Sequence, residues 1–157
     1  MTQASSILPA GAKLELLGGA LLAVDKGYIH QAVKARIDAW AGLSSLATYY
    51  LGNLPQEPSY PAIVGNQIYA EGFHDYQGKG DLSRTQFQFD ILGPDFNQLA
   101  RVAEQLRLCW LATDGTFFGV RIYGARLLGQ YQEPYEASAE LQRFMIEFEL
   151  WHDNTSP

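Results

Sequence analysis

Arg84-Thr85-Gln86-Phe87-Gln88-Phe89-Asp90-Ile91 alternates polar and apolar side chains without a break, and the reading of the whole chain turns on it. A strand sends successive side chains to opposite faces. Thr85, Phe87, Phe89 and Ile91 therefore pack inward while Arg84, Gln86, Gln88 and Asp90 face away. Gly93-Pro94 stops the strand, and Asp95-Phe96-Asn97-Gln98 has the pattern of a capping box, Asp95 accepting from free amides and Gln98 reaching back. Behind it Leu99, Val102, Ala103, Leu106 and Trp110 recur at helical spacing, with Gln98, Arg101, Glu104 and Gln105 elsewhere on the barrel.

Outward from this pair, the same periods organise the rest of the chain. Ile29, Val33, Ile37 and Trp40 predict a helix from about Tyr28 to Tyr50, broken or bent at Gly42, with Leu43, Leu46, Ala47 and Tyr50 continuing its apolar face. Gly52-Asn53-Leu54-Pro55 ends it, and Pro55, Pro58 and Pro61 keep the connector extended. Tyr60 to Asp75 reads as a strand bent at Gly65 and Gly72, followed by the glycine-rich loop Tyr76-Gln77-Gly78-Lys79-Gly80-Asp81. Asp114-Gly115 turns the chain into a strand from Phe117 to about Leu128. The polar segment Gly129 to Glu140 reads as a protruding connection. The last strand, Leu141 to Trp151, puts Phe144, Ile146, Phe148 and Leu150 on one face and Arg143, Met145, Glu147, Glu149 and Trp151 on the other.

These elements predict an α+β fold in the order α-β-β-α-β-β, an antiparallel four-stranded sheet with helices packed on one face. Residues 28–152 form the domain. Residues 1–27 read as an N-terminal extension or arm, with either a short hairpin around Gly18-Gly19 or a helix there, and residues 153–157 as a short polar tail.

With 157 residues, 47% hydrophobic and 18% charged, the chain belongs to the globular class and has length enough for its own core. A formal charge of −6 argues against a protein that grips DNA or anionic lipid. Cys109 is the single cysteine, which excludes an intramolecular disulfide and an all-cysteine metal site. The apolar stretch Leu14–Val24 is about half the length that spans a bilayer, and no membrane partner is expected.

Few residues of the chain are arranged for chemistry. His74-Asp75 and His152-Asp153 are acid–base neighbours on paper, but adjacent residues of a strand point to opposite faces. His30 stands at a helix start. Gly78-Lys79-Gly80 leads into a strand and lacks the Gly-Lys-Ser/Thr end of a phosphate loop. Cys109, between Leu108 and Trp110, reads as a packed thiol. Glu147 and Glu149 share a strand face roughly 6–7 Å apart, a carboxylate spacing that glycoside hydrolysis uses and that exposed strands also show by chance. No catalytic residue, metal site or cofactor is assigned.

The layout nevertheless resembles a known family. A helix ending in Leu54-Pro55-Gln56 leads to Tyr60-Pro61-Ala62-Ile63-Val64. Then come the strand Gln86 to Ile91, Gly93-Pro94-Asp95-Phe96, the Leu99-Ala100-Arg101-Val102-Ala103 helix and two more strands. Over about Ile29 to Trp151 this is similar to the tail terminator (tail completion) proteins of long-tailed bacteriophages. The resemblance implies a non-enzymatic virion protein at the head-proximal end of the tail, present in the host cytoplasm during assembly. It implies a homohexameric ring that caps the tail tube, ends its polymerisation and forms the joint to the head. The partners it implies are further copies of the chain, the tail-tube protein and a head-completion or stopper connector protein, with DNA only as passing cargo. On that reading the loop Tyr76, Gln77, Gly78, Lys79, Gly80 and Asp81 is a candidate assembly loop, and Glu147 and Glu149 are candidate lumen-facing residues. The alternatives are another head–tail connector, a small-molecule-binding domain whose pocket uses Tyr60, Phe73, Tyr76 and Trp110, or a hydrolase using Glu147 and Glu149.

Overall fold

A computed structural model describes residues 28–73, 82–132 and 140–153. Three helices, α1 (Ile29–Ala39), α2 (Ala41–Ser44) and α3 (Phe96–Leu111), lie with six strands: β1 (Thr48–Leu51), β2 (Ala62–Phe73), β3 (Leu82–Gly93), β4 (Gly115–Phe117), β5 (Val120–Gln132) and β6 (Gln142–Asp153). The strands form one sheet in the order β1-β2-β3-β6-β5-β4. β1 runs parallel to β2, and every other neighbouring pair is antiparallel.

This corrects the expected antiparallel four-stranded sheet in the order α-β-β-α-β-β. The sheet is six-stranded and mixed, because each edge carries a short strand the periodicity did not separate. At one edge, the helix expected to reach Tyr50 ends at Trp40, whose backbone turns extended at φ −86° and ψ 108°. The Trp40 indole donates from Nε1 to Gln105 Oε1 on α3 at 3.0 Å, and this anchors the break. Gly42 does not break the helix. It lets α2 lie close to α3, where a Cβ would collide with the Gln105 side chain. The chain then extends as Thr48-Tyr49-Tyr50-Leu51, whose β-branched threonine and two tyrosines favour a pleated surface.

At the other edge, the strand expected from Phe117 is a hairpin. Phe118 and Gly119 both have positive φ, 47° and 77°, the geometry of a two-residue turn that matches strand twist. β5 then runs on through Gln132, so the segment read as a connection from Gly129 begins as strand. β2 carries its irregularity between Gln67 and Tyr69, away from both Gly65 and Gly72. Gly65 serves a different purpose: the ring of Tyr49 lies across it, and a Cβ there would overlap the Tyr49 hydroxyl.

The amphipathic readings of β3, α3 and β6 correspond to the observed core. Phe87, Phe89, Ile91, Leu99, Val102, Leu106, Ile146, Phe148 and Leu150 are fully buried. Phe89, Trp110 and Phe148 meet with ring centroids 6.0–6.4 Å apart. Asp95 caps α3 by accepting from the Asn97 amide at 2.9 Å. The far end of α3 is closed from outside: Arg36 of α1 donates from Nη2 to the Cys109 carbonyl at 2.9 Å and from Nε to Thr113 Oγ1 at 3.0 Å. Its guanidinium also lies over Trp40 and Phe117. One arginine thus joins α1, α2, α3 and β4, a role that sequence spacing alone does not reveal.

Candidate interaction surface

The helices pack on the face that holds Phe87 and Phe148, and among the described residues no helix lies on the opposite face of the sheet. The register aligns its side chains in cross-strand rows. Glu71, Arg84 and Trp151 form one row across β2, β3 and β6; Tyr69, Gln86 and Glu149 form the next; Asn66, Gln88 and Glu147 follow; Val64, Asp90 and Met145 come after. Arg126 of β5 stands beside Glu149, and Tyr131 beside Met145.

Arg84 organises the upper part. Phe73 and Trp151 stack at 5.6 Å, and the Arg84 guanidinium lies 5.8 Å from the first ring and 5.5 Å from the second. Its Nη2 is 2.7 Å from Glu71 Oε2, and its Nη1 is 3.6 Å from Glu149 Oε2. Arg126 reaches the other Glu149 oxygen at 3.1 Å. Glu149 is therefore held between two arginines and is only 8% exposed. Glu147, its neighbour on the same face, is half-buried. The two candidate lumen carboxylates lie on one face as expected, but they differ in character: Glu149 is neutralised within the sheet.

Lower down, Asp90 accepts from Gln88 Nε2 at 3.1 Å and pairs with Arg143 at 3.0 Å. Both residues line a shallow groove of about 350 Å³ with Gly52, Asn53, Leu54 and Asn66. The candidate assembly loop Tyr76–Asp81, together with His74, lies outside the described residues.

The remaining sequence candidates separate in space. Trp110 is in the core, Phe73 is on the opposite sheet face and Tyr60 precedes β2, so these aromatics do not enclose one pocket. Cys109 is fully buried, and burial pushes its thiol up to about 11 against the opposing pull of Arg36. His30 stacks on Tyr28 at 5.5 Å. His152 is buried at the end of β6 with its ring nitrogens engaged, 2.7 Å from Thr85 Oγ1 and 2.6 Å from the Asp153 carbonyl. Burial holds its pKa below the ordinary histidine value. Among the described residues no three histidine, cysteine or carboxylate side chains converge as a metal site would require.

No family model matches the chain, and no curated protein matches it. The fold does have a solved counterpart. It is similar to a chain in the virion of a native gene transfer agent (GTA) particle, with a TM-score of 0.63 and 14% identity over 80% of this chain and 95% of that one. At this identity the likeness is one of fold. It extends over nearly the whole of the virion chain, so the shared unit is the domain itself and not a single motif.

Proposed function

We propose that this chain is a structural protein of a phage-like virion that assembles as a tail-terminator-like ring at the head-proximal end of a tail. The observation that carries the reading is the fold it shares with a chain of a gene transfer agent virion along 95% of that chain. Two further features support it. Among the described residues the sheet is covered by helices on one face only, which leaves a broad polar face for a second surface or a lumen. That face pairs Glu71, Glu149 and Asp90 with Arg84, Arg126 and Arg143, so among the described residues these arginines offer passing DNA no uncompensated basic patch.

In this reading copies of the chain close into a ring on contact with the tail tube, and the free protein need not be a ring. The ring caps the tube, ends its growth and presents its other rim to the head connector. Glu147 and the rows around it line the channel, and the helices face outward. The test is mass in solution and negative-stain electron microscopy of the protein alone and with the tail-tube protein. Rings on tube ends are the expected result; monomers bound to a finished tube would overturn the reading.

A further inference from the structure

Among the described residues, both edges of the sheet lack a pairing strand over most of their length. β1 pairs only with Ala62–Gly65 of β2, and β4 only with Val120–Ile122 of β5. Among the described residues no strand pairs with the outer edge of β2 from Asn66 to Phe73 or of β5 beyond Ile122. Natural sheets guard such edges with lysine, proline or inward charges. Neither stretch contains a lysine or a proline, and both display large apolar side chains: Ile68, Tyr69 and Phe73 on β2, Leu128 and Tyr131 on β5, each 37–53% exposed.

We infer that the subunits of the ring join by these two edges, β5 of one copy adding antiparallel to β2 of the next; this rests on the ring reading above. The directions agree. β2, β3, β6 and β5 alternate in direction, so β5 is antiparallel to β2, and copies placed side by side about an axis bring opposite directions together. A contact between two different edges is head-to-tail, the kind that closes into rings.

The short edge strands set the register. With neighbouring copies level, Gln130–Gln132 of β5 would meet β1 of the next copy, and the start of β5 is already occupied by β4. Displacing the next copy along the strands by a few residues, toward its own β1 end, clears both obstructions at once. The displacement must be even, because an odd one would mix the two faces of the sheet. A shift of about four residues places Tyr131 opposite Tyr69, Gln130 opposite Ala70 and Arg126 opposite Phe73, with Glu71 diagonal to Arg126. Aromatic meets aromatic, and the exposed cation meets a ring and a carboxylate. Such a stagger is also what strands tilted around a closed barrel require.

Cysteines at Ala70 and Gln130 test the register, since facing residues of paired strands lie within disulfide reach and both positions are exposed. Buried Cys109 can remain. Rings of the double variant A70C/Q130C, formed on the tail tube and oxidised, are expected to give a ladder of covalent multimers on a non-reducing gel. A mixture of the two single variants should give covalent dimers only. Cross-linked dimers from either single variant alone would show like edges pairing and overturn the proposal. Rings that assemble with no cross-link in the double variant would overturn it and leave the ring reading standing; no ring under any condition would overturn both. Hydrogen exchange on the unmodified protein gives a second measure. Amides of residues 66–73 and 123–132 that do not pair within the sheet should slow at least tenfold on assembly. Equal protection in the monomer would show the edges covered by the chain itself and would also overturn the proposal.

Discussion

The Thr85 hydroxyl donates to Nε2 of His152 across 2.7 Å at the buried end of β6, while Nδ1 of the same ring donates to the Asp153 carbonyl at 2.6 Å. A carbonyl can only accept, so Nδ1 carries the proton and the neutral ring uses both nitrogens. Burial is the main cause that holds the folded pKa below 6.5, with Asp153 pulling the other way. The unfolded chain therefore binds a proton more readily than the folded one. The neutral ring's stability is fully present above about pH 6.5 and falls as pH drops from there toward the folded pKa. Urea denaturation between pH 5 and 7.5 should show stability rising with pH, and H152Q should flatten that rise. An unchanged slope in H152Q would remove His152 as its source.

The Tyr49 ring and Gly65 form a second tight relationship. Tyr49 is 5% exposed, burial raises its phenol, and its hydroxyl has no hydrogen-bond partner among the described residues. Removing that oxygen relieves an uncompensated desolvation, so Y49F is expected to be neutral or stabilising by up to about 1 kcal/mol. G65A should do the opposite and cost about 1–3 kcal/mol, because the ring is locked in the core and cannot yield. Thermal unfolding of both variants separates the two effects by sign.

Arg36 and Cys109 give a prediction about reactivity. The thiol sits in the core with its pKa pushed up to about 11, so almost none is thiolate at pH 8. It should react with an aromatic disulfide reagent only at the rate of opening. R36L, which removes the donors to the Cys109 carbonyl and to Thr113, should cost about 1–3 kcal/mol and speed labelling in proportion. Fast labelling of the unmodified protein would contradict the packed environment.

The contrast between what was and was not legible in the sequence follows from the range of the interactions. β3, β6 and α3 declare themselves because each is long and repeats its own period against one core. β1 does not, since Leu43, Leu46, Ala47 and Tyr50 fit helical spacing and the parallel partner Ala62–Gly65 lies across a proline-rich connector. β4 has only Gly115–Phe117 to show, too short for any period. For the polar face, alternation placed Glu147 and Glu149 together, but not the arginines that flank Glu149. Those pairings depend on register, and register depends on irregularities between Gln67 and Tyr69 and between Leu127 and Gly129 that no local pattern announces.

The same pairings decide how a channel role for this face can be tested. Replacing Glu147 and Glu149 together by lysine would confuse two effects. Glu149 is nearly buried between Arg84 and Arg126, so a lysine there sets three cations against one another. E149K is expected to destabilise the sheet by about 3 kcal/mol or more, and E149Q by about 1–2 kcal/mol after allowing for the exposure of the arginines. Glu147 is half-buried and sits outside that cluster of ion pairs, so E147K should leave the melting temperature within a few degrees. In rings it would add a cation to the channel wall once per subunit. If that face lines the channel, E147K rings should form normally yet retain DNA, with ejection slowed and the slowing relieved at high salt. Ejection at the normal rate from E147K particles that assemble normally would place Glu147 away from the DNA path.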